Sequence, residues 1–291
     1  MAADTVLNPF LAAGPAPEDI PAVRQERITV TPELAKQWLA RNDGNRPLRY
    51  AFAAQLARDM TAGTWALNGE TVKIAADGTL LDGQHRLTAC ILAEVPFETF
   101  VVTGLPREAQ KTIDTGAKRK MADVLYLSGE KNAVVLAAAT RWAVVWDRGA
   151  RVRQRGGEAE PTHAEIGAYL DSHPELREAA SFSVRAREHM RSLRPAVFAM
   201  AWLLFNRKDP GQAEEFLGRL LDGADIGAGH PVHTLRARIW KAREADERLT
   251  EHEQLFMLVL AWNHFRAGNL DVKLIKLPGG GLTPKNFPEP K

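Results

Sequence analysis

One cysteine, Cys90, in a chain of 291 residues rules out an internal disulfide framework and any zinc cage built from thiolates. No redox couple is built in, and a reducing cytoplasm is the expected compartment. Also missing is a run of about 20 apolar residues, and the N-terminus has no basic stretch followed by an apolar core. A membrane partner is therefore not expected. Net charge is scarce too: the formal value of +2 is too small by itself to establish a nucleic-acid partner. Neither a glycine-lysine-serine/threonine phosphate loop nor a dinucleotide fingerprint occurs, which disfavours the usual nucleotide folds.

What is present is enough apolar residue, 45%, to bury a substantial core in one large domain or two modest ones. Residues 1–26 and 277–291 lack a sustained apolar period and read as flexible or loosely docked ends. Between them, 28–31 reads as a strand and Pro32 opens a helical pattern through Leu39. Leu48, Phe52, Leu56 and Met60 recur every four residues and give a second helix that Gly63 ends. Residues 71–74 and 79–81 form a hairpin about the Asp77-Gly78 turn, followed by a short helix through Ala93 and a strand over 99–102. A short helix over 106–113, a turn at Asp114-Thr115-Gly116 and a helix over 121–128 complete this part.

Beyond Glu130 the pattern is helical, with segments at 133–147, 162–170, 174–190, 195–206, 211–221, 232–244 and 250–266. Two begin with capping boxes, Thr162 with Glu165 and Thr250 with Glu253. Trp142, Trp146, Trp202, Trp240 and Trp262 fall in apolar helical patterns and are expected to pack between helices. The fold class is thus α+β, a small N-terminal domain over 27–130 followed by an all-helical domain over 131–276. The division is expected between Ser128 and Asn132.

The run Asp82-Gly83-Gln84-His85-Arg86, between a strand and a helix, has the parts of a phosphate-binding turn. Gly83 gives backbone freedom, a helix starting about Arg86 or Leu87 turns its positive end to the turn, and His85, Arg86 and Thr88 can donate. Asp82 is a candidate magnesium ligand or an orienting partner for His85. On pattern alone a hairpin exit, with Asp82 capping the helix and Arg86 paired to a carboxylate, fits equally well. Glu70, just before the hairpin, is placed to take a proton from an attacking hydroxyl. Asp114, Thr115 and Lys118, followed by Arg119 and Lys120, can cradle a phosphate, meet a DNA backbone or cap the next helix. Arg46 and the loop arginines Arg151, Arg153 and Arg155 are candidate nucleic-acid contacts. The other histidines show no spacing with Asp or Glu that selects a metal.

The stretch Asp82-Gly83-Gln84-His85-Arg86-Leu87-Thr88-Ala89, with its preceding hairpin and following helix, resembles the glycine-x-x-arginine signature of the ParB/sulfiredoxin superfamily. The resemblance runs over residues 28–125 and implies a small mixed sheet flanked by helices. It also implies a nucleotide, ATP or another triphosphate with magnesium, whose phosphates sit in Gly83, Gln84, His85 and Arg86. Members differ in outcome: CTP-dependent clamping of DNA, phosphorylation of a cysteine sulfinate, or phosphorylation of free serine. Gln84 stands where sulfinate repair needs a cysteine, and His85 before Arg86 is closer to the kinase branches than the partitioning proteins' glutamate-arginine pair. The expectation is phosphorylation of a hydroxyl, that of a hydroxymethylated base in DNA or of a free small molecule such as serine. A nucleotide-gated DNA-binding protein is the alternative; its only candidate helix-turn-helix, at 162–190, carries Glu175 and Glu178 where a groove reader is basic. A nuclease would need Glu70, Asp82 and Asp114 to converge.

Overall fold

A computed structural model describes residues 23–113, 119–152 and 159–291. The chain divides into two compact units, Met1–Gly116 and Ala117–Lys291. The first opens with strand β1 (Arg24–Val30), helix α1 (Pro32–Leu39) and helix α2 (Tyr50–Thr61). Next come the hairpin strands β2 (Thr71–Ala75) and β3 (Leu80–Asp82), helix α3 (Gln84–Ala93) and strand β4 (Phe97–Leu105). A 3₁₀ turn, Arg107–Thr112, closes the described part of this unit.

The sheet runs β1-β4-β2-β3, with β4 antiparallel to β1 and parallel to β2, and β3 antiparallel to β2. It is mixed, as expected for the fold class. Val30, Val72, Leu80, Phe97 and Val101 join Leu87, Ala89 and Cys90 of α3 and Ala57 and Met60 of α2 in one apolar core. Thr31 caps α1 by accepting from the Leu34 amide, and Pro32 occupies the first turn, where its missing N–H costs nothing. The sequence pattern undershot strand lengths: β1 starts at Arg24, inside the segment read as a loose tail, because its amides are paired with β4 over the whole register from Arg24 opposite Thr103 to Val30 opposite Phe97.

The second unit is helical: α4 (Met121–Leu127), α5 (Ala133–Asp147), α6 (His163–Ser172), α7 (Glu175–His189), α8 (Pro195–Asn206), α9 (Pro210–Asp222), α10 (Pro231–Glu244) and α11 (Glu251–Arg266). Both expected capping boxes form, on α6 and α11. The division falls at Gly116/Ala117, and Leu125 of α4 is buried in the helical core. That core centres on Trp262, which stacks on Phe205 and meets Phe216 edge-on. Trp240 departs from the packing expectation: it is 59% exposed, with the Arg243 guanidinium over its ring. The C-terminal segment also departs from it, since Phe287 is buried in this core. No helix among the described residues is long and apolar enough to cross a membrane.

His230 caps α10, its Nδ1 accepting from the Val232 amide, while its Nε2 lies 3.2 Å from Arg219 Nη1. Burial, and then the Arg219 charge, push its pKa below the ordinary histidine value. A proton on Nδ1 would end the cap. Because the native state holds that proton more weakly than the unfolded chain, stability is complete above the ordinary histidine pKa and falls as pH drops below it. The melting temperature of the wild type should therefore fall more between pH 7.5 and pH 5 than that of His230→Asn, whose amide caps without titrating. Parallel pH profiles would remove His230 from the account.

Candidate functional site

The phosphate-turn candidates lie where β3 runs into α3. Lys73 and Asp82 sit opposite each other in the β2–β3 pair, and the Lys73 ammonium reaches Asp82 Oδ2 at 3.0 Å. The same oxygen takes Arg86 Nη2 at 3.3 Å, and Asp82 Oδ1 accepts from the Gly83 amide at 2.7 Å. Asp82 is therefore a holder of Arg86, not of His85. Arg86 Nη2 also donates to the Thr71 carbonyl at 2.7 Å, so the guanidinium is fixed from two sides. Its other terminal nitrogen, Nη1, is buried and has no acceptor among the described residues. A buried donor left unpaired costs about 1–3 kcal/mol, so an acceptor delivered to it is favoured by a similar amount.

Gly83 caps α3 at φ 112°, a left-handed conformation that a side chain resists. A Cβ there would lie 3.0 Å from Val72 Cγ2, with Val72 itself fully buried. Gly83→Ala should cost about 1–3 kcal/mol through strain and displacement of Val72, read as a lower midpoint in chemical denaturation. An unchanged midpoint would show that the loop relaxes freely.

The helix begins at Gln84, two residues before the expected start, so Gln84 and His85 form its first turn and point inward. Gln84 is 5% exposed: it accepts from Asn42 Nδ2 at 3.1 Å and donates to the Arg46 carbonyl at 2.9 Å. His85 accepts at Nε2 from the Arg49 amide at 3.2 Å, and its ring meets Phe52 edge-on. The Thr88 hydroxyl turns back to the Gln84 carbonyl at 2.8 Å. Three of the expected phosphate donors thus serve the fold. Gln84 and His85 pin the loop over residues 42–49 to the start of α3. Asn45 completes the tie by donating to the Leu80 carbonyl at 2.8 Å and accepting from Gln110 at 3.0 Å.

Glu70 is exposed at the entry to β2, its amide held by Asn68 and its carbonyl by the Thr99 hydroxyl. It precedes Thr71, the residue whose carbonyl orients Arg86, so an outward carboxylate lies one peptide from the buried guanidinium's anchor. Cys90 is buried, and loss of water raises its thiol pKa to about 11. Its Sγ donates to the Val95 carbonyl at 3.2 Å, the setting of a structural thiol and not of a nucleophile.

Magnesium does not fit Asp82 in this arrangement, because two cations and an amide already take both carboxylate oxygens. Among the described residues no group of three or more His, Cys, Asp or Glu is disposed to hold a metal.

Asp114, Thr115, Lys118, Arg153 and Arg155 lie outside the described residues. Arg46 is exposed on the pinned loop. Arg119 and Lys120 are exposed in the helical unit, where the Lys120 amide bonds Asp123 in capping α4. Arg151 is turned to the fold: it stacks on Trp146 at 4.3 Å and pairs with Glu289. The first turn of α7 carries Glu175 and Glu178, an acidic start ill-suited to a DNA groove.

Sequence reasoning missed Lys73, Thr71, Asn42 and Gln110. Their roles depend on strand register and loop return, for which a motif spacing carries no signal. No protein-family model, curated protein or solved structure matches this chain.

Proposed function

We propose that the N-terminal unit binds a nucleoside triphosphate by its phosphates at the β3–α3 turn and transfers the terminal phosphoryl group to a hydroxyl. The observation that carries this reading is Arg86: fixed by Asp82 and Thr71, with Nη1 lacking an acceptor, it is a preorganised cation with a donor to spare. Such a group stabilises charge that spreads over the phosphoryl oxygens in transfer and needs no reorganisation when the charge appears. The amides at the start of α3 add partial positive charge at the turn.

In the transfer the acceptor oxygen forms a bond to the terminal phosphorus as the bond to the bridging oxygen breaks. The nucleoside diphosphate leaves with that electron pair. Glu70 takes the hydroxyl proton as general base. The motif's likeness to the kinase-like branches of the ParB/sulfiredoxin superfamily supports a hydroxyl acceptor, with a hydroxymethylated base in DNA ahead of free serine.

Incubation with ATP labelled at the terminal phosphate, magnesium and, in separate reactions, hydroxymethylated DNA, unmodified DNA and free serine tests the reading. Label should appear in hydroxymethylated DNA and not in unmodified DNA. Label in serine alone would reassign the acceptor, and label in none, with ATP intact, would defeat the transferase. Nicked plasmid without nucleotide would instead support a nuclease.

A further inference from the structure

The pinned loop is held from inside by Gln84, His85, Asn42 and Asn45, while other side chains of the loop and the first residue of α2 face out. Arg46, Leu48, Arg49 and Tyr50 are all exposed, Leu48 at 43% and Tyr50 at 53%. An exposed leucine between these two arginines and an exposed tyrosine after them lie outside the apolar core of this unit. The local charge is one-sided as well: from Gly44 to Ala57 the chain has two arginines and no acidic residue. A cation at the start of α2 opposes helix stability. Arg49 stands at the N-cap of α2, which has no side-chain cap and no acid in its first turn, although acids are the residues a helix start favours. A loop that gives up local stability to show cations and an aromatic ring, while its backbone is fixed by buried amides, has the properties of a binding surface.

From this surface we infer that the acceptor reaches the site as an unpaired nucleic-acid strand, with Tyr50 stacking on a base and Arg46 and Arg49 contacting the backbone phosphates. Stacking on an exposed ring is open to a strand whose bases are splayed and closed to the interior of a duplex. The fixed backbone limits the entropy lost when the strand binds. The loop touches the start of α3 through the Arg46 carbonyl and the Arg49 amide, so a strand lying on it passes the β3–α3 turn. The inference rests on the proposed transferase for the identity of the reaction, but not for the binding itself.

Fluorescence anisotropy with a short labelled single strand and with its blunt duplex, measured on the full chain without ATP, tests it. The single strand should bind more tightly than the duplex. Tyr50→Ala should weaken it by about 5- to 100-fold with an unchanged salt dependence, while Tyr50→Phe keeps most of the affinity. Arg46→Ala with Arg49→Ala should weaken binding and lower the slope of log affinity against log salt by about 1.4. Equal affinity for the duplex, or a Tyr50→Ala variant that binds like the wild type, would overturn the inference, with matching circular-dichroism melts as the folding control. Crosslinking of labelled ATP to the same preparations separates the two ideas. Lost strand binding with ATP crosslinking intact sinks this inference alone. Strand binding without ATP crosslinking sustains it and sinks the nucleotide reading.

Discussion

Arg86→Ala should lower phosphoryl transfer by about 100- to 1,000-fold, the loss typical of removing one preorganised donor from a developing anion. The substitution deletes the contact to the Thr71 carbonyl and one of the two cations on Asp82, but leaves the Lys73–Asp82 pair at 3.0 Å to hold the hairpin. Arg86→Lys should recover little. A lysine presents one point of charge where the guanidinium serves Asp82, Thr71 and an incoming acceptor from a planar fork. Glu70→Gln provides the contrast. Its backbone bonds to Asn68 and Thr99 do not involve the carboxylate, so the fold and ATP binding should persist while transfer falls by about 100-fold or more. Single-turnover transfer, read beside ATP crosslinking and circular dichroism, checks all three variants. Full transfer by Arg86→Ala would remove the arginine from the chemistry, and full transfer by Glu70→Gln would remove the base.

The helices were legible in the sequence because each carries its own punctuation. Pro195 opens α8, and the capping boxes at Thr162 and Thr250 open α6 and α11 where the spacing places them. The strands were less so. β1 and β4 run beyond their β-branched centres because a partner strand supplies hydrogen bonds that polar residues such as Arg24 and Thr103 accept as readily as valine. The same limit governs the site. That Gly83 must be glycine follows from a turn before a helix, whereas the pairing of Arg86 with Asp82, at the end of β3, depends on the path of that turn. Which way the motif faces does not follow. Beginning α3 at Gln84 rotates Gln84 and His85 into the protein, where they satisfy Asn42, Arg46 and Arg49. Residues that read as ligand donors in one dimension became the fasteners of a loop in three.

In the helical unit the largest expected effect belongs to Phe287, in a segment whose proline-rich, aperiodic sequence gives no sign of burial. Its ring meets Trp146 and Phe256 edge-on, at 5.5 Å and 5.7 Å between centroids. The residues around it tie the segment to α11: Trp262 Nε1 donates to the Lys291 carbonyl at 3.0 Å, and Asn263 donates to the Glu289 carbonyl at 2.9 Å. Arg151 pairs with Glu289 and stacks on Trp146, the ring that Phe287 meets. Removing a buried phenylalanine side chain costs about 3–5 kcal/mol when neighbours cannot collapse into the space, and the rigid rings of Trp146 and Phe256 collapse poorly. Phe287→Ala should lower the melting temperature of this unit by roughly 6–20 °C, at about 2–4 °C per kcal/mol for a unit of this size. Phe287→Leu, which keeps most of the volume, should lose less than half as much. Since Arg151 is held in place by the same segment, limited proteolysis should cut Phe287→Ala faster on both sides of the Arg151–Glu289 pair. A wild-type melt for Phe287→Ala would mean that the segment rests on the helices without stabilising them.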